Sequence, residues 1–218
     1  MDSEAVARAG PPLPYTGRRR DWDRLREQLF AALTSADETG ARRVFERLRL
    51  ARVPLLDQSE QLLAPAMRRL GDECEVGSLS GARLRVAAGI AERALAWAAS
   101  CLDDARVGAP RAIVITPQGD DHRLPALIAA TVLRDADWAV RQIEGVDADE
   151  VVAVARRLRP ALAVVSFAWS DVCNSVAELD DRLAKEAGIP VLVGGPGEPL
   201  PALQEQAEAV LRAGLSSL

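Results

Sequence analysis

Three short segments of this 218-residue chain bring together side chains able to do chemistry: Gly119-Asp120-Asp121-His122, Ser166-Phe167-Ala168-Trp169-Ser170 and Gly194-Gly195-Pro196-Gly197. Imidazole nitrogen is a good donor to borderline transition metals. A carboxylate two residues earlier, here Asp120, can accept the other ring N–H, which fixes the tautomer and raises the basicity of the donor nitrogen. His122 is the only histidine in the chain. One imidazole cannot build a conventional zinc site, which takes several protein ligands. A metal already held by a macrocycle needs only one axial donor. Ser166 adds a hydroxyl, and the glycines let a ligand approach the backbone closely. Trp169 could stack on a ring system, and Cys74 could contact a cofactor's upper face.

Each of these residues also has a plainer structural reading. An isolated histidine is commonly a surface or core residue with a satisfied hydrogen bond. Asp120 or Asp121 can cap the following helix, and Ser166 can bond within its loop. Gly pairs are frequent in α/β loops. Trp169 can pack over the sheet edge, and Cys74 can be a buried structural thiol.

The elements that must position these segments follow from periodicity. Trp22, Leu25, Leu29 and Leu33 recur at helical steps, and Asp37 can cap a second helix carrying Ala41, Val44, Leu48 and Ala51. Pro54 interrupts. A third helix carries Leu55, Leu62, Ala66 and Leu70, with Gly71 near its end, and Ser80 can cap a fourth through Ala98. Short loops predict an antiparallel four-helix bundle. The apolar run Ala112–Thr116 then reads as a parallel strand buried on both faces. A helix from about Pro125 to Arg134 follows, then a strand over 138–143. Next come a helix capped by Asp147, a strand over 161–167, a helix over 176–187 and a strand over 190–193. That alternation predicts right-handed crossovers and a doubly wound parallel sheet of the Rossmann or flavodoxin type. Its ligands should sit at the carboxyl ends of the strands. Residues after 200 fit either one helix or a shorter helix and a last strand. The expected organisation is a flexible tail over 1–19, a helical cap over 20–102, a linker over 103–110 and the Rossmann-like domain over 111–218.

Composition narrows the function. Net charge is −5 and 49 % of residues are apolar. The one short basic run, Arg18-Arg19-Arg20, reads as a solvated tail, so direct nucleic-acid binding is not expected. Three widely spaced cysteines suit neither a disulfide framework nor a zinc site. No apolar stretch reaches membrane-spanning length and no secretory signal is visible. The expected location is the cytoplasm. There is no nucleophile elbow and no Walker loop, and Ser166 stands where a receiver domain would need an Asp. Binding is favoured over catalysis, with the enzyme question open and no catalytic residue assigned.

The three segments together resemble the cobalamin-binding modules of methionine synthase, corrinoid methyltransferase proteins and light-sensing cobalamin regulators. Their fingerprint is Asp-x-His-x-x-Gly, then Ser-x-Leu or a variant, then Gly-Gly. Here it reads Asp120-x-His122-x-x-Pro125, Ser166-x-Ala168 and Gly194-Gly195. The resemblance covers roughly residues 20 to 197. It implies cobalamin as cofactor, with His122 binding cobalt from below and Asp120 holding the other ring nitrogen. It also implies Ser166 meeting the nucleotide base, with Gly194 and Gly195 flanking the tail. Three departures stand out. Pro125 replaces the motif Gly and Ala168 the usual Leu. Leu84-Arg85 stands where light-sensing members carry a Glu-His pair. The expected function is a cobalamin-binding sensor or regulator without its own DNA-binding domain, signalling through a partner protein or homo-oligomerisation. The alternatives are a corrinoid carrier for methyl transfer and a cofactor-free interaction module on the same fold.

Overall fold

The computed structural model describes residues 21–167, 173–194 and 200–215. Its N-terminal layer is helical: α1 (Trp22–Thr34), α2 (Glu38–Leu50), α3 (Leu55–Gln58), α4 (Ala64–Glu75) and α5 (Gly81–Ser100). The caps form where the sequence offers short oxygen acceptors. Asp21, Asp37 and Ser80 accept from the backbone N–H of Arg24, Gly40 and Arg83, satisfying donors that a helix start leaves orphaned. One correction concerns the third helix. It does not end near Gly71 but runs to Glu75, and a π-helical turn over Ser59–Leu63 joins α3 to α4. The inserted residue shifts the helical phase. Even so, Leu62, Leu63, Ala66 and Leu70 all reach the core beside Leu29, Leu33, Phe45 and Leu95.

The second layer is a four-stranded, wholly parallel sheet in the order β2-β1-β3-β4: β1 (Arg111–Thr116), β2 (Ala139–Glu144), β3 (Leu162–Ser166) and β4 (Val191–Gly194). Its helices are α6 (Arg123–Asp135), α7 (Ala148–Leu158), α8 (Cys173–Arg182), extended by a π turn over Leu183–Ala187, and α9 (Leu200–Leu215). The doubly wound expectation holds. The open choice at the C-terminus resolves as one helix, α9. Strands β1 and β3 are buried along nearly their whole length, as strands covered on both faces must be.

Helix α6 joins the two layers. Leu124, Ile128 and Val132, at four-residue steps, belong to the core of the helical cap. Ala126, Ala129, Ala130 and Leu133 pack on the sheet instead. A helix that is apolar all round is one buried on all sides. At its far end Asp135 accepts a 2.7 Å hydrogen bond from the Leu55 backbone N–H and so caps the start of α3. The cap is thus fastened to the sheet domain through the helix that begins at His122.

Candidate functional site

The chain leaves β1 toward β2 on one side and returns to β3 on the other. This puts the topological switch point between β1 and β3, where open α/β sheets bind ligands. Two of the three predicted segments begin at this point.

The β1–α6 loop turns at Gly119, whose φ of +90° only glycine adopts without strain. Asp120 then bonds its own loop: its Oδ1 accepts from the His122 backbone N–H at 2.8 Å and lies 2.9 Å from His122 Nδ1. A carboxylate can only accept, so the proton sits on Nδ1 and the lone pair on Nε2. The Asp120 side chain is fully buried, whereas the His122 side chain is 48 % exposed. An anchored acid thus orients a ring at the surface of the crevice. His122 holds the N-cap position of α6 with no capping bond from its own side chain, so neither Asp120 nor Asp121 occupies that position. Pro125, in place of the motif glycine, falls third in the helix. Its missing N–H there is one of the helix's orphan donors, and its fixed φ suits the first turn.

Ser166 ends β3 and is buried; its register partner on β4 is Gly194, and the Phe167 N–H donates to Gly194 O at 3.1 Å. A Cβ built on Gly194 would meet nothing within 4 Å. Both residues line a cleft of about 550 Å³. Its walls are apolar, with Leu124, Pro125 and Ile128 from α6, Leu192 from β4, and Leu200 and Leu203 from α9. The cap closes it through Ala64, Met67 and Arg68 of α4. Arg68 as a wall of this cleft went unread in the sequence, because the cleft is made by elements far apart along the chain.

Other groups gather near the ring. Arg123 pairs with Glu144 at 3.3 Å. Burial pushes the Glu92 carboxyl of α5 above its ordinary range, against the opposing pull of Arg123; Glu144 adds to the rise, while Arg93 and His122 oppose it. Cys74 is half-buried on α4, seven residues after Met67 and so on the same helical face, but it does not line the cleft. Trp169 and Gly195 lie outside the described residues.

These residues fit a corrinoid. The donor set is one imidazole backed by a buried carboxylate. Among the described residues no group of three or more His, Cys, Asp or Glu side chains could hold a bare metal ion. A metal held through this one imidazole would have to bring its other ligands with it. Beside the donor lies an apolar slot with a serine at its base and open space above a glycine, suited to an aromatic base. A helical cap over a flavodoxin-like sheet, with a carboxylate–imidazole pair at the switch point, defines the class.

Comparison with known proteins agrees. One B12 binding domain model matches residues 110–214 and a second matches residues 25–103. The chain belongs to the cobalamin-binding module family, and cobalamin is its cofactor. The cofactor-free reading falls with that finding. The HTH-type transcriptional repressor CarA of Myxococcus xanthus is 26 % identical over 198 residues, which cover 89 % of this chain and 65 % of the repressor. The chain thus spans just under two thirds of that relative's length. The Methanosarcina barkeri monomethylamine corrinoid protein shares the fold, with a TM-score of 0.70 and 18 % identity over 90 % of this chain and 99 % of that one. Among the described residues no helix is long and apolar enough to cross a membrane.

Proposed function

We propose that this chain is a cobalamin-dependent regulator in which His122 is the lower cobalt ligand and the helical cap relays the state of the upper face. The observation that carries the reading is the buried Asp120 carboxylate 2.9 Å from Nδ1 of a half-exposed imidazole. Cobalamin, when bound, supplies a cobalt whose upper ligand can be exchanged. The protein's part is to hold the Nε2 lone pair toward the metal and to take the displaced base beside Ser166 and Gly194. A cap that shares α6 with the sheet domain can change its docking as the site changes. That change matters only if a partner, or a second copy, binds the two states with different free energies. Similarity to a transcriptional repressor supports a regulatory output.

A second reading, a corrinoid carrier for methyl groups, draws on one specific feature. The chain's only histidine is His122, so the cap offers no imidazole to the upper face. One set of measurements separates the readings. Purified protein is mixed with hydroxo-, methyl- and adenosylcobalamin, in light and dark, and absorption spectra and oligomeric state are followed. Light- or ligand-dependent change of oligomer supports the regulator. Transfer of a methyl group from a donor enzyme, with no change in assembly, replaces it with the carrier. In either case His122→Ala abolishes the base-off, His-on spectrum; an unchanged spectrum ends the proposed ligand role.

A further inference from the structure

The cleft beside Ser166 has a polarity gradient. Ser166 is buried, the walls are aliphatic, and the polar side chains at the rim are Arg68 of α4 and Gln206 of α9, both exposed. Arg68 differs from the arginine beside it. Arg69 pairs with Glu27 at 2.6 Å and Glu73 at 3.6 Å, and its guanidinium lies 3.7 Å from the Phe30 ring centroid. Arg68 makes no hydrogen bond or ion pair among the described residues. Helical geometry places it on the cleft side. Ala64, Met67 and Arg68 lie at three- and four-residue steps, whereas Ala66 and Leu70 point into the bundle.

A guanidinium with no partner among the described residues, at the mouth of an apolar slot, suits a ligand with an aromatic body and an anionic neck. A cobalamin tail has that form, a benzimidazole joined to the corrin through a ribose and a phosphodiester. We infer that Arg68 binds the phosphodiester of the tail while Met67 covers its base, so that the tail holds the cap's α4 against the sheet domain. This rests on the reading that the tail leaves cobalt to His122, and it assigns the cap a binding role at the lower cleft as well as over the upper face. Guanidinium suits the task because it presents a planar fork of donors matched to phosphate oxygens. The consequence is that cap docking depends on the nucleotide tail and not on the corrin ring alone.

The test compares cobalamin with cobinamide, which has the same ring but no nucleotide, on wild-type protein, Arg68→Glu and Arg68→Lys. Binding is read by absorption titration and cap docking by hydrogen exchange of the α4 amides. Arg68→Glu should weaken cobalamin at least about tenfold, roughly 1.4 kcal/mol, and leave cobinamide unchanged. Arg68→Lys should recover most of the loss. Cobalamin, but not cobinamide, should protect α4 in the wild type. Equal cobalamin affinity in wild type and Arg68→Glu overturns the inference, as does equal weakening of both corrinoids or equal protection by both. Failure of the underlying reading shows separately, as a cobalamin spectrum that His122→Ala does not change.

Discussion

At the residue scale the site depends on a two-residue spacing. Asp120 reaches both the backbone N–H and the ring Nδ1 of His122 because an Asp oxygen commonly bonds two residues ahead in a turn. The pair is thus assembled locally, and these two bonds offset the cost of burying the acid. Asp120→Asn keeps an acceptor but loses the charge that favours Nδ1–H. It should lower cobalamin affinity by about 10–100-fold, as loss of such a partner does at other metal sites, while the melting temperature without cofactor moves little. An affinity within twofold of wild type would assign Asp120 a purely structural role. Thr131 gives a contrasting test. Its hydroxyl is buried in α6 with no hydrogen-bond partner among the described residues. Thr131→Val removes the unsatisfied group at nearly constant volume and should stabilise the protein by about 1 kcal/mol, read in chemical denaturation.

The element that matters most is α6. It starts at the candidate ligand, contributes to both apolar cores and ends by capping α3. Leu133 is fully buried against the sheet, and Leu133→Ala should cost about 2–5 kcal/mol. The Asp135 cap carries a pH dependence. Burial, the dominant cause, raises the Asp135 carboxyl above its ordinary range, Asp57 adds to the rise, and the Leu55 N–H opposes it. A carboxyl raised in the folded state favours folding most when protonated. Its contribution is complete below the unfolded-state value and is lost as pH rises through the raised folded value. Asp135→Asn should therefore flatten the acid-side dependence of the melting temperature and leave stability near pH 7 equal or higher. Asp135→Ala should lose about 1 kcal/mol by leaving the Leu55 donor uncapped. The periodicity of α6 gave its existence and its apolar character, but not the division of its faces between two cores. Each face reads as apolar, and only the neighbours distinguish them.

At the scale of the whole molecule, the cofactor should act as a fastener. A ligand that binds only the folded protein stabilises it by RT ln(1 + [L]/Kd), about 2.7 kcal/mol at a hundredfold excess over Kd. For a chain of this length that corresponds to a melting shift of roughly 5–10 °C. Wild-type protein should show the shift with cobalamin, and His122→Ala a smaller one; equal shifts would remove the imidazole from the binding energy.

The sequence by itself determined whatever depends on near neighbours. It set the alternation of helix and strand, the caps at Asp37, Ser80 and Asp147, the buried run of β1 and the acid–imidazole pair after it. Helical and strand periods, and hydrogen bonds over two or three residues, are written in local order. The π turn over Ser59–Leu63 was not legible, because one extra residue shifts the helical phase without any residue type that marks it. Only the tertiary structure decided that Ser166 stands beside Gly194, that Asp135 caps α3, and that Arg68 of the cap lies at the mouth of a cleft in the sheet domain. The cause is physical. Such contacts join segments far apart along the chain, and the packing that brings them together follows from the joint burial of many apolar side chains, not from the spacing of any few.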